Sequence, residues 1–485
     1  MEDIAFNGSW WLPENPDRKL AGKLVYDAAD SLQLVLYDNL REIPVSETGV
    51  HEGEFRSQAE PIVHGIRHDD RKFVTLVGVR GTNLEVPAVY VTTVFDVGLA
   101  LLGGLHVSED AFERVDVEFD YLKAWAQPPT RVVRDPTAPN LHQIRTDISE
   151  LASCDLEDGS SVALYTGVVG VFGDNATDLV EYCAFRRTVP QAHQGLDLVS
   201  QVVRPLQDLL MLSLGRDVRL TEVRLSRQKD GQRIAFETLF PVAQRPAPIP
   251  PLKSSRLLNN VLDYRAPTLL TAKKLANEPT PLSTGRLLVD WFREHDGLGE
   301  PLIQLLSPFY APFMSPEHSY SATFQSAEAL HDVLELGTKD LPKAEHRERV
   351  SRVVELIKGS ALPEGDAEWS QKVLSGRNDK SLSAKIESLL NEAGPAGTVL
   401  LAAVPSFGTD SAKLRARVSH GGARVEAERW RRTLYEHVLR WMVRGHLICR
   451  LLDGDQRTQF WASLASRESF KQIVQLLSEA VAEDQ

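Results

Sequence analysis

An arginine and a histidine stand five positions apart in the segment Lys413–Gly422, where Arg415 precedes His420 near the end of a predicted short helix. A histidine with a pKa of about 6.5 can take the proton from an RNA 2′-hydroxyl. An arginine can hold the phosphodiester that this oxygen then attacks. The chemistry needs neither a metal nor a cofactor, and it excludes DNA, which lacks the attacking hydroxyl. The pair is therefore a candidate ribonuclease site.

The spacing alone is common in this chain. Similar spacings of an arginine before a histidine occur at Arg187/His193, which is predicted to be a loop, and at Arg432/His437 and Arg440/His446 inside a long predicted helix. The Arg415/His420 pair differs from these because Gly421 and Gly422 follow His420 at once and predict the end of the helix. Five positions on an ideal helix separate two side chains by about 140°. Convergence therefore requires fraying at this end, or a second chain that supplies the facing groups.

A basic island surrounds the pair. Ten Lys or Arg and only three acidic residues lie between positions 411 and 450, in a chain whose net charge is −13. Such an island favours the binding of an anion, for example the phosphates of an RNA substrate.

In the same region, apolar residues recur at steps of three and four over Glu426–Leu452, which predicts a long amphipathic helix. Its apolar stripe, with Trp430 and Trp441, is wide enough to face a second copy, so we expect a homodimer or an oligomer of dimers.

The length of 485 residues predicts two or three domains. Residues 1–245 contain short alternating or β-branched runs between Gly, Asp, Asn and Pro, which predict a sandwich or an open barrel with one helix at Gly195–Leu214. The proline-rich stretch Pro241–Leu252 predicts a stiff linker. Residues 246–320 are interpreted as this linker and a helical connection, and residues 321–485 as an all-α bundle. The fold class is thus α+β multidomain, with a β-rich, sandwich-like N-terminal domain followed by an all-α helical bundle.

Individual elements follow from the same periodicities. The predicted strands are Lys23–Tyr26, Leu32–Leu36, Phe73–Val79, Val86–Phe95, Val115–Phe119, Ser161–Val171, Leu179–Thr188, Val218–Ser226 and Ile234–Phe240. The further predicted helices are Thr284–His295, Glu300–Leu306, Ser321–Gly337, Lys343–Lys358, Ala367–Ser375, Ser381–Ala393, Ser411–His420 and Ser466–Glu483.

Other classes of site receive little support. The three cysteines are widely separated and match neither a disulfide framework nor a metal-ligand spacing. His64 and His68 lie in a predicted β region, where a spacing of four does not align two metal ligands, so no metal site is predicted. The apolar runs are shorter than the roughly 20 residues that cross a bilayer, and the N-terminus lacks the basic start of a signal peptide. These features predict a cytoplasmic protein.

Segments in both halves of the chain carry a resemblance to a known family. In the first half they are Gly8–Pro13, Gly22–Leu24 and Phe119–Trp125, and in the second half Phe324–His331 and Ser381–Leu390, followed by the Arg415/His420 motif and the long final helix. Their order and spacing resemble the ApeA-like HEPN proteins, which are prokaryotic anti-phage and toxin-like factors. The resemblance covers nearly the whole chain.

The resemblance implies a HEPN endoribonuclease that acts in anti-phage defence by abortive infection. It implies that a dimer brings two motifs into one cleft, with His420 as the general base and Arg415 as the phosphate stabiliser, and that the N-terminal domain senses a phage-derived trigger. Arg417, Glu328 and His331 are candidate supporting residues. Glu328 and His331, together with Glu335, lie on one face of a predicted helix, which faces either the cleft or solvent.

One position departs from the family pattern. The residue after the arginine is commonly polar and often Asn, whereas this chain has Ala416. Two alternatives therefore stay open. In one, a non-catalytic HEPN dimer binds RNA, a nucleotide or a partner protein. In the other, the β domain binds a small ligand or a polysaccharide, and the helical bundle serves for oligomerisation.

Overall fold

The structure is a computed structural model of the chain. It describes residues 4–482 except 28–30, 39, 42–58, 86–91, 107–110, 128–131, 135–141, 145–147, 173–176, 230–231, 240–268, 272–282, 312–313, 361–362 and 420–425. The chain forms two compact units. The first comprises Met1–Ser254, Leu270–His295 and Phe309–Phe313, and the second comprises Ser255–Leu269, Asp296–Pro308 and Met314–Gln485. The predicted linker at Pro241–Leu252 lies outside the described residues.

The first unit is rich in β-structure. Its strands are β1 (Ile4–Trp11), β2 (Leu20–Asp27), β3 (Ser31–Leu36), β4 (Ala59–Arg67), β5 (Phe73–Glu85), β6 (Thr92–Leu102), β7 (Phe112–Phe119), β8 (Val132–Arg134), β9 (His142–Ile144), β10 (Ser149–Asp155), β11 (Ser161–Phe172), β12 (Thr177–His193), β13 (Leu220–Lys229) and β14 (Gln232–Leu239). Two helices accompany them, α1 (Leu122–Ala126) and α2 (Gly195–Leu214).

Six of these strands close into a barrel. The order β6-β3-β2-β1-β4-β5 is completed by a second pairing of β5 with β6, and all of these pairs are antiparallel. Closure removes the free edges at which another strand could add. The sheet continues from β6 through β14, β13, β7, β12 and β11 to β10. The β-rich N-terminal half is thereby confirmed, and its first part is a closed barrel that the strand pattern did not specify.

Trp10 fills the barrel core. Its side chain is fully buried, and it stacks on Phe6 with ring centroids 6.2 Å apart. A Cβ atom added at Gly65 would lie 2.3 Å from the indole ring, so only glycine allows β4 to pass this close to Trp10. The neighbouring Trp11 is buried as well, at 5% exposed.

The second unit is helical. The helices that follow the β-rich part are α3 (Thr284–Tyr310, which contributes to both units), α4 (Pro316–Val333), α5 (Lys343–Lys358), α6 (Glu364–Ser375), α7 (Leu382–Glu392), α8 (Pro395–Ala403), α9 (Phe407–Ser419), α10 (Glu426–Cys449), α11 (Gly454–Ser466) and α12 (Glu468–Ala482). The core of the unit contains fully buried aromatic side chains at Phe324, Phe407 and Tyr435. The predicted helical C-terminal half is confirmed.

Several boundaries differ from the prediction. The helices predicted at Thr284–His295 and Glu300–Leu306 form the single element α3, in which Gly299 has non-helical angles (φ 47°, ψ −128°). The helix predicted over Ser321–Gly337 ends at Val333. The segment that contains Arg187 and His193 belongs to strand β12 and is not a loop. Helices α8 and α11 were not predicted.

Two carboxylates face each other on the sheet extension. Glu118 on β7 and Glu222 on β13 are paired in register. Burial, followed by repulsion from Glu222, raises the pKa of Glu118 to about 7, although Arg224 lies 3.5 Å away. A raised carboxyl pKa means that the folded state retains a proton that the unfolded chain releases at lower pH. The stabilisation from this proton is complete below about pH 4.5 and is lost as the pH rises through 7.

We expect Glu118→Gln to stabilise the protein selectively at alkaline pH. Glutamine stays neutral at every pH. The free energy of unfolding of the variant should therefore exceed that of wild type above about pH 4.5, by on the order of 2 kcal/mol above pH 7. Melting temperatures of wild type and variant, compared from about pH 5 to about pH 8, measure this. Glu237→Gln, at an exposed carboxylate on β14, serves as the control. A gain that is the same at every pH would contradict the assignment.

Candidate functional site

Arg415 lies in the last turns of α9. The neighbouring Leu414 and Ser411 are buried and anchor this helix in the bundle, whereas the Arg415 side chain is 31% exposed. Its guanidinium Nη2 lies 3.9 Å from a carboxylate oxygen of Glu328 on α4. Two of the residues predicted for the site, Arg415 and Glu328, are therefore brought together by the fold.

Glu328 belongs to an ion-pair cluster that joins three helices. Lys385 of α7 lies 3.1 Å from Asp332 and 3.8 Å from Glu328, both on α4, and α9 contributes Arg415. The Lys385 side chain is only 11% exposed. Burial tends to raise the pKa of Asp332, but hydrogen bonds from His331 and Lys385 lower it, so this carboxylate stays ionised. The cluster holds two cations against two anions.

His331 orients this cluster from inside the protein. It is fully buried, and its Nδ1 lies 3.2 Å from Asp332 Oδ1. Because an ionised carboxylate only accepts hydrogen bonds, Nδ1 carries the proton. In the described part of the chain, His331 Nε2 has no hydrogen-bond partner. A fully buried ring cannot touch a substrate on the surface, so His331 can act only through Asp332.

The other predicted supporting residues have different positions. Arg417, two residues after Arg415, is exposed near the end of α9. Glu335 lies beyond the end of α4 with φ 53°, because the helix stops at Val333. The expected polar stripe along one helical face is therefore limited to Glu328 and His331, and Glu335 was wrongly assigned to it.

His420 lies outside the described residues, which end at Ser419 and resume at Glu426. Helix α9 ends one residue before the histidine. The convergence of Arg415 with His420, and the predicted stop at Gly421, stay predictions.

The rival arginines on α10 are engaged in ion pairs. Arg432 lies 3.0 Å from Glu317 of α4, and Arg440 lies 2.6 Å from Glu436. Burial lowers the pKa of His437 to about 4, and it does the same for His446, whose Nε2 bonds to the Leu389 carbonyl at 2.9 Å. These histidines are neutral at pH 7, but so low a pKa makes them weak bases.

Two residues of the cluster, Asp332 and Lys385, were not predicted. A signal for Lys385 does exist in the sequence, since it stands one turn before Leu389 on the face of α7 that also carries Ile386. A lysine on an apolar helical face predicts a buried carboxylate partner. The sequence alone does not say which of the many acidic residues that partner is.

The β-rich unit holds no rival metal site among its described residues. His64 is buried and bonds through Nε2 to the His106 carbonyl at 2.8 Å, while His68 bonds to Ser9 at 2.9 Å. Across the described parts of both units, no group of three or more His, Cys, Asp or Glu side chains is arranged to hold a metal ion. Within the same residues, every helix is too short or too polar to cross a membrane.

We expect the cations of the cluster to differ in their contribution to stability. Lys385→Met keeps the packing but leaves Asp332 without its buried cation, so it should cost about 1–3 kcal/mol. Arg415→Ala removes a long, partly exposed ion pair and should cost at most about 1 kcal/mol. Melting temperatures of the two variants test this order. An equal loss in both would mean that Arg415 has a structural role.

Comparisons with known proteins identify the family to which the first half of the chain is similar. The family model described as ApeA N-terminal domain 1 matches residues 5–257, which is just over half of the 485 residues. No curated protein and no solved structure gives a significant match. Apart from Ile4, the first residue of β1, the matched range contains all of the barrel and sheet strands. The chain therefore belongs to the ApeA family, whose members are anti-phage defence proteins.

Proposed function

We propose that this protein is a metal-independent HEPN endoribonuclease that acts in anti-phage defence, with Arg415 and His420 as its catalytic pair. Membership of the ApeA family supports the role in defence. The observation that carries the catalytic assignment is the partly exposed guanidinium of Arg415 beside Glu328, at the end of a helix that stops just before His420. His420 is assigned as the base from its position in the sequence.

The proposed reaction uses one base and one cation. His420 takes the proton from the 2′-hydroxyl, and the 2′-oxygen attacks the adjacent phosphorus atom. The bond from phosphorus to the 5′-oxygen breaks, and this oxygen takes a proton from solvent water as it leaves. Arg415 binds the non-bridging phosphate oxygens, on which negative charge accumulates in the transition state. The products are a 2′,3′-cyclic phosphate and a 5′-hydroxyl.

The ion-pair cluster places Arg415 beside a carboxylate with which an RNA phosphate can compete. At 3.9 Å, its contact with Glu328 is too long for a good hydrogen bond, and the carboxylate is 40% exposed. Lys385 also lies close to Glu328 and shares its charge. An RNA phosphate therefore competes for Arg415 with a carboxylate that already has a second cation. Ala416 is exposed and offers no polar side chain to the cleft, so this chain relies on other groups there.

The RNA substrate is received by the second unit, and the β-rich unit senses a phage-derived trigger. The protein acts as a homodimer, or as an oligomer of dimers, in which two motifs share one cleft. The protein acts in the cytoplasm, where phage RNA and host RNA are both accessible.

Cleavage should survive chelation of metal ions. The purified full-length chain, incubated with total RNA and excess EDTA, should produce fragments with 2′,3′-cyclic phosphate or 3′-phosphate ends and 5′-hydroxyl ends, because the 2′-oxygen is the nucleophile. End labelling with and without prior phosphatase treatment distinguishes these ends. Loss of activity in EDTA and its recovery with magnesium would overturn the mechanism.

We expect the protein to be a dimer at micromolar concentration. Trp441 of α10 does not face a second copy, because it is buried in its own bundle and stacks on Phe470. Large exposed apolar side chains of the helical unit include Leu356 and Trp369 instead. Light scattering coupled to size-exclusion chromatography gives the mass. A monomer that retains full nuclease activity would exclude a shared cleft.

The catalytic pair is tested by four variants in one cleavage assay. His420→Ala removes the base and Arg415→Ala the phosphate ligand, so each should lose about 10²- to 10⁴-fold in rate. His437→Gln, the rival on α10, should stay within a few-fold of wild type, as should His318→Ala at an exposed histidine of α4. An inactive His437→Gln beside an active His420→Ala would identify the other histidine as the base. Four variants with wild-type rates would refute Arg415 and His420 as the catalytic pair. A wild-type protein that does not cleave RNA would leave a non-catalytic, RNA- or partner-binding module.

A further inference from the structure

A cavity of about 490 Å³ lies in the helical unit where five helix ends meet. Its lining comes from the residues after α4, the end of α7, the start of α8, the last turn of α10 and the first turns of α11. Pockets for small ligands commonly measure about 300–1,000 Å³. None of the residues of the ion-pair cluster around Arg415 lines this cavity.

His446 gives the cavity a buried hydrogen-bond acceptor. The residue is 4% exposed, and its Nε2 lies 2.9 Å from the Leu389 carbonyl oxygen. A carbonyl only accepts, so Nε2 carries the hydrogen and Nδ1 presents a lone pair. Within the described residues, no hydrogen bond to Nδ1 is present, and the indole of Trp461 fixes the ring edge-on at 4.8 Å. An occupant that donates a hydrogen bond would satisfy this atom.

Positive charge lines the same cavity. Arg450 and Arg457 both contribute to its wall, and Arg457 is fixed by a hydrogen bond of 2.8 Å from its Nε to the Leu452 carbonyl. Guanidinium groups match phosphate oxygens in a two-pronged geometry. Glu392 is the carboxylate in the lining, so the cations outnumber the anions by one.

A helix N-terminus adds to this charge. Helix α8 begins at Pro395 after Gly394, which has φ 52°, and no side chain caps its first turn. Pro395 has no N–H, and the Ala396 N–H donates to the Ala393 carbonyl at 3.3 Å, so it is the positive end of the helix dipole that attracts an anion here. The neighbouring N-terminus of α11 is different, because Asp453 and Gln456 close it with a capping box. Of the two helix starts at the cavity, only that of α8 carries no capping side chain.

The rest of the lining is apolar, with Leu334, Leu336, Pro395 and the side of Trp461. An inorganic anion alone would leave these groups and His446 without a partner. We propose that the cavity binds a small organic phosphate monoester. Its phosphate faces Arg450, Arg457 and the start of α8, while a hydrogen-bond donor on its organic part meets Nδ1 of His446. This site is independent of the ribonuclease chemistry.

Calorimetric titration of the full-length protein tests the class of ligand. The probes are adenosine monophosphate, glucose 6-phosphate, inorganic phosphate and adenosine. At least one monoester should bind with a Kd about tenfold or more below that of inorganic phosphate and of adenosine, since only a monoester uses both parts of the cavity. Equal affinity for inorganic phosphate and both monoesters, or no saturable binding up to about 10 mM, would overturn the proposal.

Variants locate the binding. Arg450→Gln and Arg457→Gln should each weaken the monoester about tenfold or more, while Glu392→Gln should strengthen it a few-fold, because it removes the opposing charge. Both arginines are exposed, so the fold should persist, with an unchanged melting temperature in the absence of ligand. Arg352→Gln, on the exposed helix α5, controls for a general effect of net charge. Affinity that is unchanged by both cavity variants, or lowered equally by Arg352→Gln, would refute the site.

Discussion

Helix α4 neutralises cations that three neighbouring helices carry into the bundle. A buried positive charge is costly unless a carboxylate meets it. Glu317 meets Arg432 of α10, Asp332 meets Lys385 of α7, and Glu328 lies beside Arg415 of α9. Ser319 and Thr323, between these carboxylates, accept hydrogen bonds from Arg440. The position of the candidate catalytic arginine therefore depends on the placement of α4.

This arrangement changes the meaning of the basic island at positions 411–450. The sequence suggests one surface for an anion, yet Arg432 is buried against Glu317, and Arg440 is paired with Glu436. Arg444 is 1% exposed, and burial lowers its pKa to about 9. Much of the charge counted along the sequence is thus inside the bundle, where carboxylates compensate Arg432 and Arg440. Of the described basic residues in α9, the exposed ones, Lys413 and Arg417, add to the field at the surface.

The sequence predicts the local elements well where one periodicity dominates. Helices α2 and α5 have the predicted bounds. Helix α8 was missed because Gly394, Pro395 and Gly397 suggest a turn. In the structure, Pro395 occupies the first helical turn, and Gly397 permits contact with α7, since a Cβ there would lie 1.7 Å from the Leu390 carbonyl oxygen. Barrel closure depends on the pairing of strands far apart in sequence, and no local pattern encodes it.

The candidate site was predictable only in part, for a reason that α10 illustrates. Arg440 and His446 lie on one continuous helix, and they contact different neighbours: Arg440 reaches α4, while His446 reaches Leu389 of α7. An arginine and a histidine at this spacing diverge on a regular helix. Helix α9 ends at Ser419, one residue before His420, so helical geometry does not predict that Arg415 and His420 diverge. The end of the helix, more than the spacing of the two residues, is what makes this pair a candidate for shared chemistry.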